Sequence, residues 1–218
     1  MWTTRHSLRR CTRDLSTAGS DLNFGEPMKV GVLGLQGDVS EHMDILRSLR
    51  ANPIWVKDLA TFKSVDALII PGGESTTISD LLLYNGLFQP IRARALEGMP
   101  VFGTCAGAIL LAKDAGRQQK QSGEKLLGLM DLAVDRNAYG RQRESFEAEV
   151  AVEGVGRMRV PFIRAPVITK VFGKCRAIAR LDGRIVAAEQ GNLLAACFHP
   201  ELSGDARMHE RFLRVARR

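Results

Sequence analysis

Short apolar runs alternate with helix-like segments through the first half of this 218-residue chain. Residues 30–35, 54–57, 67–70 and 101–104 are predicted as buried strands. Strands that alternate with helices favour a parallel sheet, because each crossover helix covers one face of that sheet. We therefore predict an α/β fold with a mainly parallel central sheet, helices on both faces, and functional loops at the carboxyl ends of the strands. The predicted helices span residues 38–50, where Asp38 and Glu41 suggest a cap, and residues 76–84, 88–96 and 106–113.

The second half of the chain changes character after about residue 126. Residues 203–216 are predicted as a closing helix, since Met208, Phe212 and Val215 share one face. The polar stretch 116–125 is predicted as a loop. Shorter strand-like runs should extend the sheet with antiparallel strands, and they span residues 130–134, 146–152, 158–163, 177–181, 185–188 and 193–198.

Composition excludes several classes of protein. No apolar run approaches the ~20 residues that a membrane-spanning helix needs. The net charge is +7, but the basic residues are scattered among acidic ones and only 6% of residues are aromatic. This pattern is typical of a solvated basic surface, which could face an acidic partner or phosphorylated metabolites. We expect neither a nucleic-acid partner nor a membrane partner.

Residues 1–27 differ from the rest of the chain. They contain four arginines before the first acidic residue, Asp14, and no apolar stretch. An arginine-rich segment poor in acids is typical of an organelle transit peptide. An upstream start codon or a cloning remnant would give the same pattern, with Met28 as the real beginning. We predict a disordered N-terminal extension over residues 1–27 and one domain over residues 28–218.

The four cysteines, Cys11, Cys105, Cys175 and Cys197, are widely spaced and form no Cys-x-x-Cys pair. Their spacing indicates neither a zinc site nor a disulfide framework. It is typical of a protein in a reducing cytoplasm, which is the location we expect. Cys175 and Cys197 lie in apolar runs, where a cysteine usually packs as a small hydrophobic residue.

Cys105 has a different context, because it follows a predicted strand and precedes a predicted helix in the sequence Gly103-Thr104-Cys105-Ala106-Gly107. A tight turn of small residues at such a junction forces the side chain outward, as in a nucleophile elbow. The helix N-terminus also favours the thiolate, which is the nucleophilic form of cysteine. The alternative is a buried structural cysteine, and the two flanking glycines argue against it.

Two further segments fit a cysteine nucleophile. In His199-Pro200-Glu201, a strand-end conformation would put the histidine and the glutamate on one side, where the carboxylate could fix the imidazole tautomer. Pro200 should prevent a helix there. The loop Pro71-Gly72-Gly73-Glu74-Ser75-Thr76 follows a predicted strand, and its glycines allow close approach of a ligand. The N–H groups of Gly73 and Ala106 could form an oxyanion hole.

Six motifs in this order resemble those of one family. They are Gly34-Leu35-Gln36-Gly37-Asp38, residues 71–76, residues 103–107, Arg136-Asn137-Ala138-Tyr139-Gly140-Arg141-Gln142, Phe162-Ile163-Arg164-Ala165-Pro166 and His199-Pro200-Glu201. From about residue 28 to residue 216, the chain is similar to the glutaminase subunits of pyridoxal 5′-phosphate synthase. These are class I (triad) glutamine amidotransferases, whose fold has three layers.

The resemblance implies hydrolysis of L-glutamine to L-glutamate and ammonia through a γ-glutamyl thioester. It implies Cys105 as nucleophile, His199 as general base and acid, and Glu201 as the orienting carboxylate. The ammonia would be supplied to a separate (β/α)₈-barrel synthase subunit. Pyridoxal 5′-phosphate would be the product of the complex, so we expect no cofactor and no metal in this chain. The implied glutamine contacts are Gly73, Glu74, Ser75, Arg136, Ile163 and Arg164.

Free glutamine carries a carboxylate and an ammonium, so a selective pocket needs a guanidinium and an acid. Arg136 and Arg164 can supply the first and Glu74 the second, although such residues are often only surface charges. In the family, the segment of residues 34–38 lies at the contact with the synthase. We predict that it and residues 138–141 help form the partner interface, with docking completing the oxyanion hole. The interface residues would be Gln36, Asp38, Tyr139 and Arg141.

Two other functions remain open from the residues alone. The chain could serve a different synthase, since other class I glutaminases share the Cys-His-Glu set and the glycine-rich loop. It could instead be an inactive regulatory subunit, although intact Cys105, His199 and Glu201 argue against this. We expect the other histidines, His6, His42 and His209, to be surface or packing residues.

Overall fold

The computed structural model describes residues 28–136 and 145–217. The first part of the chain alternates strands and helices, as predicted. The strands are β1 (Lys29–Leu33), β2 (Asn52–Val56), β3 (Ala67–Ile70) and β4 (Val101–Thr104). The helices are α1 (Val39–Ser48), α2 (Leu59–Lys63), α3 (Ser75–Tyr84), α4 (Phe88–Leu96) and α5 (Ala106–Leu111).

The second part of the chain is mainly strands. It contains β5 (Ala112–Asp114), α6 (Gly116–Ser122), β6 (Met130–Asp135), β7 (Phe146–Val152), β8 (Gly156–Phe162), β9 (Val167–Val171), β10 (Arg176–Leu181), β11 (Arg184–Gln190) and β12 (Leu193–Ala196). A 3-10 turn (Pro200–Leu202) and the helix α7 (Arg207–Ala216) close the chain. Among the described residues, no helix is long and apolar enough to cross a membrane.

The strands form one mixed sheet in the order β2-β1-β3-β4-β12-β11-β10-β7-β8. The neighbours from β2 to β12 are parallel, and those from β12 to β8 are antiparallel. β9 pairs with β11 and β6, and β6 also pairs with β5. The predicted α/β class and the antiparallel extension of a parallel sheet are therefore confirmed.

Two neighbouring residues of β4 show that helices cover both faces of the sheet. Successive side chains of a strand point to opposite faces. The ring of Phe102 lies 5.6 Å, between centroids, from that of Phe212 in α7. A Cβ atom on the next residue, Gly103, would lie 2.5 Å from the carbonyl oxygen of Gly107 in α5. α7 and α5 thus lie on opposite faces, which gives the three predicted layers.

The structure corrects several predicted elements. The stretch 116–125, predicted as a loop, contains the helix α6, whose residues lack the apolar periodicity on which the prediction depended. The helix predicted at residues 106–113 ends at Leu111, and the chain continues as β5. α2, β5 and β9 were not predicted. α2 has only five residues, and its sequence signal is a capping box between Asp58 and Thr61.

Candidate active site

Cys105 occupies the single residue between β4 and α5, as predicted. Its backbone has φ 48° and ψ −103°, a conformation that L-residues rarely adopt and that is often found at functional sites. The side chain is largely buried, with 7% of the residue exposed. It lines a pocket of about 470 Å³.

The glycines on either side of Cys105 are required by close packing. A Cβ atom on Gly107 would lie 2.1 Å from the carbonyl oxygen of Ile70, at the end of β3. A Cβ on Gly103 would meet the backbone of Gly107 at 2.5 Å. Contacts below 3 Å are sterically prohibited, so only glycine lets α5 begin this close to the sheet. The two glycines therefore fix the position of Cys105.

His199 reaches the same place from the neighbouring strand. β12 lies parallel to β4 with Ala196 opposite Thr104, so both chains leave the sheet at the same edge. The backbone N–H of His199 donates to the carbonyl of Pro161 at 3.0 Å. Its Nδ1 lies 2.6 Å from Oε1 of Glu201. The structure thus brings the three predicted triad residues together.

The local conformation of His199 and Glu201 differs from the prediction. We expected a strand end with Pro200 excluding a helix, but Pro200–Leu202 is a 3-10 turn. Proline is compatible with the first position of a helical turn, since its missing N–H would be unpaired there and its φ suits the turn. The turn, rather than a two-residue strand period, brings the Glu201 carboxylate to the imidazole.

The ring of His199 is held in its charged form. Burial opposes protonation, but the Cys105 and Glu201 side chains stabilise the imidazolium and raise the pKa of His199 to about 10. Nδ1 is engaged by Glu201, whereas the buried Nε2 has no hydrogen-bond partner among the described residues. Nε2 is therefore the nitrogen available to exchange a proton with Cys105 or with a bound molecule.

Asp38 also contacts this ring, which the sequence did not indicate. It occupies the N-cap position of α1, as predicted, but its side chain makes no capping hydrogen bond. Its Oδ2 instead lies 3.3 Å from Nδ1 of His199. Asp38, His199 and Glu201 bring ligand-type atoms within 4.8 Å of one another. The expectation that the chain holds no metal stays a prediction.

The loop 71–76 packs directly against His199. A Cβ atom on Gly72 would lie 2.3 Å from Cε1 of the imidazole, and one on Gly37 would lie 1.7 Å from the carbonyl oxygen of Gly72. The loop after β1, the loop after β3 and the His199 ring are therefore stacked at van der Waals distance. Glycine is required at both positions.

Gln36 joins the first two of these loops. Its Oε1 accepts a hydrogen bond from the backbone N–H of Glu74 at 3.0 Å, and the side chain lines the pocket that contains Cys105. Gln36 and Asp38, predicted at a partner interface, thus lie at the rim of the site itself. The other two predicted interface residues, Tyr139 and Arg141, lie outside the described residues.

The predicted oxyanion and glutamine-binding residues line the same pocket as Cys105 and His199. They are Gly73, Glu74, Ser75, Ala106, Arg136, Ile163 and Arg164. The hydroxyl of Ser75 is buried and has no hydrogen-bond partner within residues 28–136 and 145–217, as expected for a group that meets a ligand. Arg164 adopts φ 44°, again in the region that non-glycine residues rarely adopt.

Arg136 lies between two carboxylates. Its Nη2 donates to Oε1 of Glu74 at 3.1 Å, and its Nη1 donates to Oε2 of Glu124 at 2.6 Å. Glu74 also caps α3 by accepting from the N–H of Thr77 at 2.6 Å. Burial raises the pKa of Glu74, but hydrogen bonds from Thr77 and Thr76 outweigh this effect and hold the pKa below its usual value. The guanidinium is therefore fixed from the interior by Glu124 and from the pocket by Glu74.

Sequence analysis missed Glu124 and the contacts that two buried histidines make. Glu124 is only 1% exposed, but it lies in a polar stretch that gives no sign of burial. His42 and His209 were expected to be surface or packing residues, and both are completely buried. Nε2 of His42 lies 3.5 Å from Oε2 of Glu201. The helical spacing of α1 places His42 on its buried face, but no sequence pattern predicts that contact.

Comparison with known proteins gives one consistent result. The model of the SNO glutamine amidotransferase family matches residues 32–218. A pyridoxal 5′-phosphate synthase subunit PdxT from Thermoplasma acidophilum is 48% identical over 195 residues, which cover 87% of this chain and 94% of the relative. The subunit of the same name from Roseiflexus castenholzii is 50% identical over 193 residues, covering 86% of this chain and all of the relative.

Solved structures agree with this result. A structure described as a glutamine amidotransferase superimposes with a TM-score of 0.81 at 44% identity, covering 87% of this chain and 99% of its own. A glutamine amidotransferase from Thermotoga maritima superimposes with a TM-score of 0.59 at 15% identity, covering 87% and 84%. At that low identity the second likeness concerns the fold alone.

Proposed function

Because this chain belongs to the SNO glutamine amidotransferase family, we propose that it is the glutaminase subunit of a pyridoxal 5′-phosphate synthase. In this function it hydrolyses L-glutamine to L-glutamate and ammonia for vitamin B6 synthesis. The observation that carries the proposal is the strained Cys105 at a strand–helix junction, in one pocket with His199 and Arg136. The names of its relatives support the choice of synthase.

In the proposed starting state, the proton of the Cys105 thiol has moved to His199, so that a thiolate lies beside an imidazolium. A primary amide is a poor electrophile, so it requires a thiolate nucleophile and protonation of the leaving nitrogen. The sulfur attacks the side-chain carbonyl carbon and forms a tetrahedral oxyanion. As the C–N bond breaks, His199 gives its proton to the departing nitrogen, which leaves as ammonia. A γ-glutamyl thioester and a neutral imidazole remain.

The second half of the reaction uses the same imidazole as a base. His199 takes a proton from water, and the resulting hydroxide attacks the thioester carbonyl. Breaking the C–S bond releases glutamate and restores the thiolate beside the protonated ring. Glu201 stabilises the charged ring through Nδ1 in both halves. The N–H groups of Gly73 and Ala106 are the donors that we propose for the oxyanion.

Substrate selection follows from the charges in the pocket. We assign the α-carboxylate of glutamine to Arg136 and Arg164, and its ammonium to Glu74. Because Arg136 already contacts Glu74, the substrate carboxylate must compete with that carboxylate for the guanidinium. The unpaired hydroxyl of Ser75 can donate to or accept from the bound amino acid.

We place the partner, a (β/α)₈-barrel synthase subunit, against the rim formed by Gln36 and Asp38. The bond from Glu74 N–H to Gln36 connects this rim to the peptide of Gly73, so docking can adjust the oxyanion hole. We assign the glutaminase domain to residues 28–218, since β1 begins at Lys29 and the family match begins at residue 32. We also propose a cytoplasmic location, which suits the three unpaired thiols of Cys105, Cys175 and Cys197.

The test is to measure glutamate and ammonia release from L-glutamine by the purified chain, alone and mixed with a pyridoxal 5′-phosphate synthase barrel subunit. We expect strong activation on mixing, and transfer of the ammonia nitrogen into pyridoxal 5′-phosphate when the barrel's own substrates are added. Full activity alone, with no response to the barrel, would indicate an amidotransferase of another synthase. No activity in either sample would favour an inactive regulatory subunit.

Cys105→Ala is the matched control for this experiment. It should reduce glutamate release by at least about 10³-fold, because the covalent step is lost. Complex formation with the barrel, measured by analytical ultracentrifugation, should be retained. Unchanged glutamate release in this variant would contradict the assignment of Cys105.

A further inference from the structure

A chain of buried histidines lies behind the proposed triad and has no part in the mechanism so far. His42, on α1, and His209, on α7, are both completely buried. Nδ1 of His42 lies 2.8 Å from Nε2 of His209. Nε2 of His42 lies 3.3 Å from the Thr104 hydroxyl and 3.5 Å from Oε2 of Glu201. His42 thus links His209, from a helix distant in sequence, to one carboxylate oxygen of Glu201.

That carboxylate oxygen lacks any other partner. Oε1 of Glu201 binds His199, whereas Oε2 is buried with no hydrogen bond among the described residues. Burial raises the pKa of Glu201, and the charge on His199 opposes the rise. Leaving one oxygen of a buried carboxylate without a donor is costly and favours its protonation. Nε2 of His42 lies 3.5 Å from this oxygen.

Donation from His42 to Glu201 requires one tautomer for each histidine. Burial, together with His209 and His199, keeps the pKa of His42 well below its usual value, and burial lowers the pKa of His209 to about 4. Both rings are therefore neutral at pH 7. An ionised Glu201 can only accept, so donation to it requires the Nε2–H form of His42, whose Nδ1 would then accept from Nε2–H of His209. Nδ1 of His209, which carries no hydrogen in this form, has no hydrogen-bond partner in the described part of the chain.

Resting on the glutaminase function proposed above, we propose that His42 is a positioning residue whose Nε2–H, 3.5 Å away, is the donor that serves the second oxygen of Glu201, with the tautomer of His42 supported by His209. His42 is not among the described residues that line the pocket, so it would act through Glu201 on His199. The charged and titratable groups around this carboxylate are His199 from the 3-10 turn, His42 from α1, and Asp38 at the start of α1. Around His42 itself they are His209 from α7, Glu201 and His199.

The rival explanation is that His42 only fills space. An apolar residue of similar size would then serve equally well. Under our proposal, losing the N–H lets Glu201 protonate or turn away, so the imidazolium of His199 loses stabilisation. The pKa of His199 should then fall, and kcat should fall with it. KM should not change, because His42 does not line the pocket.

The test compares His42→Leu, His42→Gln and the wild-type full chain. Glutamine keeps an amide N–H near the position of Nε2, whereas leucine removes the donor. Leu46→Ala is the matched control, since Leu46 is buried one turn further along α1 and away from the carboxylate. Titration of His199, followed by ¹H–¹³C correlations of its ring in the isolated chain, needs no glutaminase activity.

We expect the titration midpoint of His199 to lie about one pH unit below the wild-type value in His42→Leu. In His42→Gln and in the control Leu46→Ala it should stay at the wild-type value. With the barrel subunit present, kcat should fall about tenfold in His42→Leu and remain within about threefold of wild type in His42→Gln, as for other residues that orient a catalytic group. An unchanged midpoint in folded His42→Leu overturns the inference. A wild-type chain without glutaminase activity would refute the proposed function, while the titration would still decide the role of His42.

A measurement on the wild type covers the case in which His42→Leu does not fold. The ¹⁵N shifts of the His42 ring report which nitrogen is protonated. Our proposal requires the neutral Nε2–H form at pH 7. A charged ring or the Nδ1–H form would overturn it.

Discussion

At the scale of single residues, Arg136 shows how two carboxylates hold a guanidinium in the pocket. The guanidinium is balanced by two carboxylates, and the two differ in exposure. The Glu124 side chain is completely buried, whereas that of Glu74 is half-exposed. A ligand carboxylate can displace Glu74 but not Glu124. We infer that Glu124 fixes where the guanidinium points, and that Glu74 is the partner exchanged on binding.

Glu124→Ala should therefore raise KM for glutamine about tenfold, since a hydrogen bond to a charged group contributes about 1.5–3 kcal/mol. kcat should change little, because Glu124 does not contact Cys105, His199 or Glu201. Steady-state glutamate release in the presence of the barrel subunit separates the two constants. Glu149→Ala, which removes an exposed ion pair with Arg157, is the control and should leave KM unchanged. An unaltered KM in folded Glu124→Ala would argue against this role.

Some residues of the site could be predicted from the sequence, and others could not. Cys105, His199 and Glu201 were identifiable because each belongs to a short motif with its own local chemistry. Glu124 and His42 have no such motif, and each acquires its role from a residue distant in the chain. His42 meets His209 across 167 positions. Contacts of this kind depend on the packing of whole elements, which a local pattern does not contain.

At the scale of elements, the close approach of α5 to the sheet determines the site. β3 and β4 were predicted with their exact bounds, because apolar runs between turn residues are strong signals. The glycines at positions 103 and 107 were recognised as a turn signal, but the reason for them is visible only in three dimensions. They let the helix begin against the carbonyl of Ile70. α6 escaped prediction because its residues are almost entirely polar.

Gly107→Ala should lower the free energy of unfolding by about 3 kcal/mol, within the range of backbone clashes and overpacking in cores. The added methyl would lie 2.1 Å from the Ile70 oxygen, so α5 must move away from β3. Gly86→Ala is the control, because Gly86 has φ 66°, which strains any other residue, but no described atom lies within 4 Å of the added Cβ. It should cost only about 1 kcal/mol. Urea unfolding measures both, and equal losses would contradict the steric explanation.

At the scale of the whole molecule, the pocket is assembled at one edge of the sheet. The loops after β1, β3, β4 and β12 all leave the carboxyl ends of parallel strands. They bring Gln36, Glu74, Cys105 and His199 to one pocket. This arrangement follows the general rule for open α/β sheets, and it was predicted from the alternation of strands and helices. A partner that docks on this edge would touch the site directly.

Gln36→Ala should therefore reduce the activation by the barrel subunit about tenfold and leave the melting temperature within about 2 °C, as expected for a half-buried side chain. The lost contact is the acceptor for Glu74 N–H, which connects the rim to the proposed oxyanion hole. Arg157→Ala serves as the control. Arg157 lies on β8, at the opposite end of the sheet from β2 and β1. Unchanged activation in Gln36→Ala would remove Gln36 from the coupling between subunits.

The position of β12 has a consequence for synthesis on the ribosome. β12 is the last strand of the chain, yet it lies between β4 and β11 in the middle of the sheet. A nascent chain emerges from its N-terminus, so the thiol of Cys105 is made long before the strand that carries His199 into place. A chain that stops before Leu193 has a nucleophile with neither its base nor its carboxylate. The ability to hydrolyse glutamine would thus arise in one step, when the final strand enters the sheet, and unfinished chains would leave the cell's glutamine untouched.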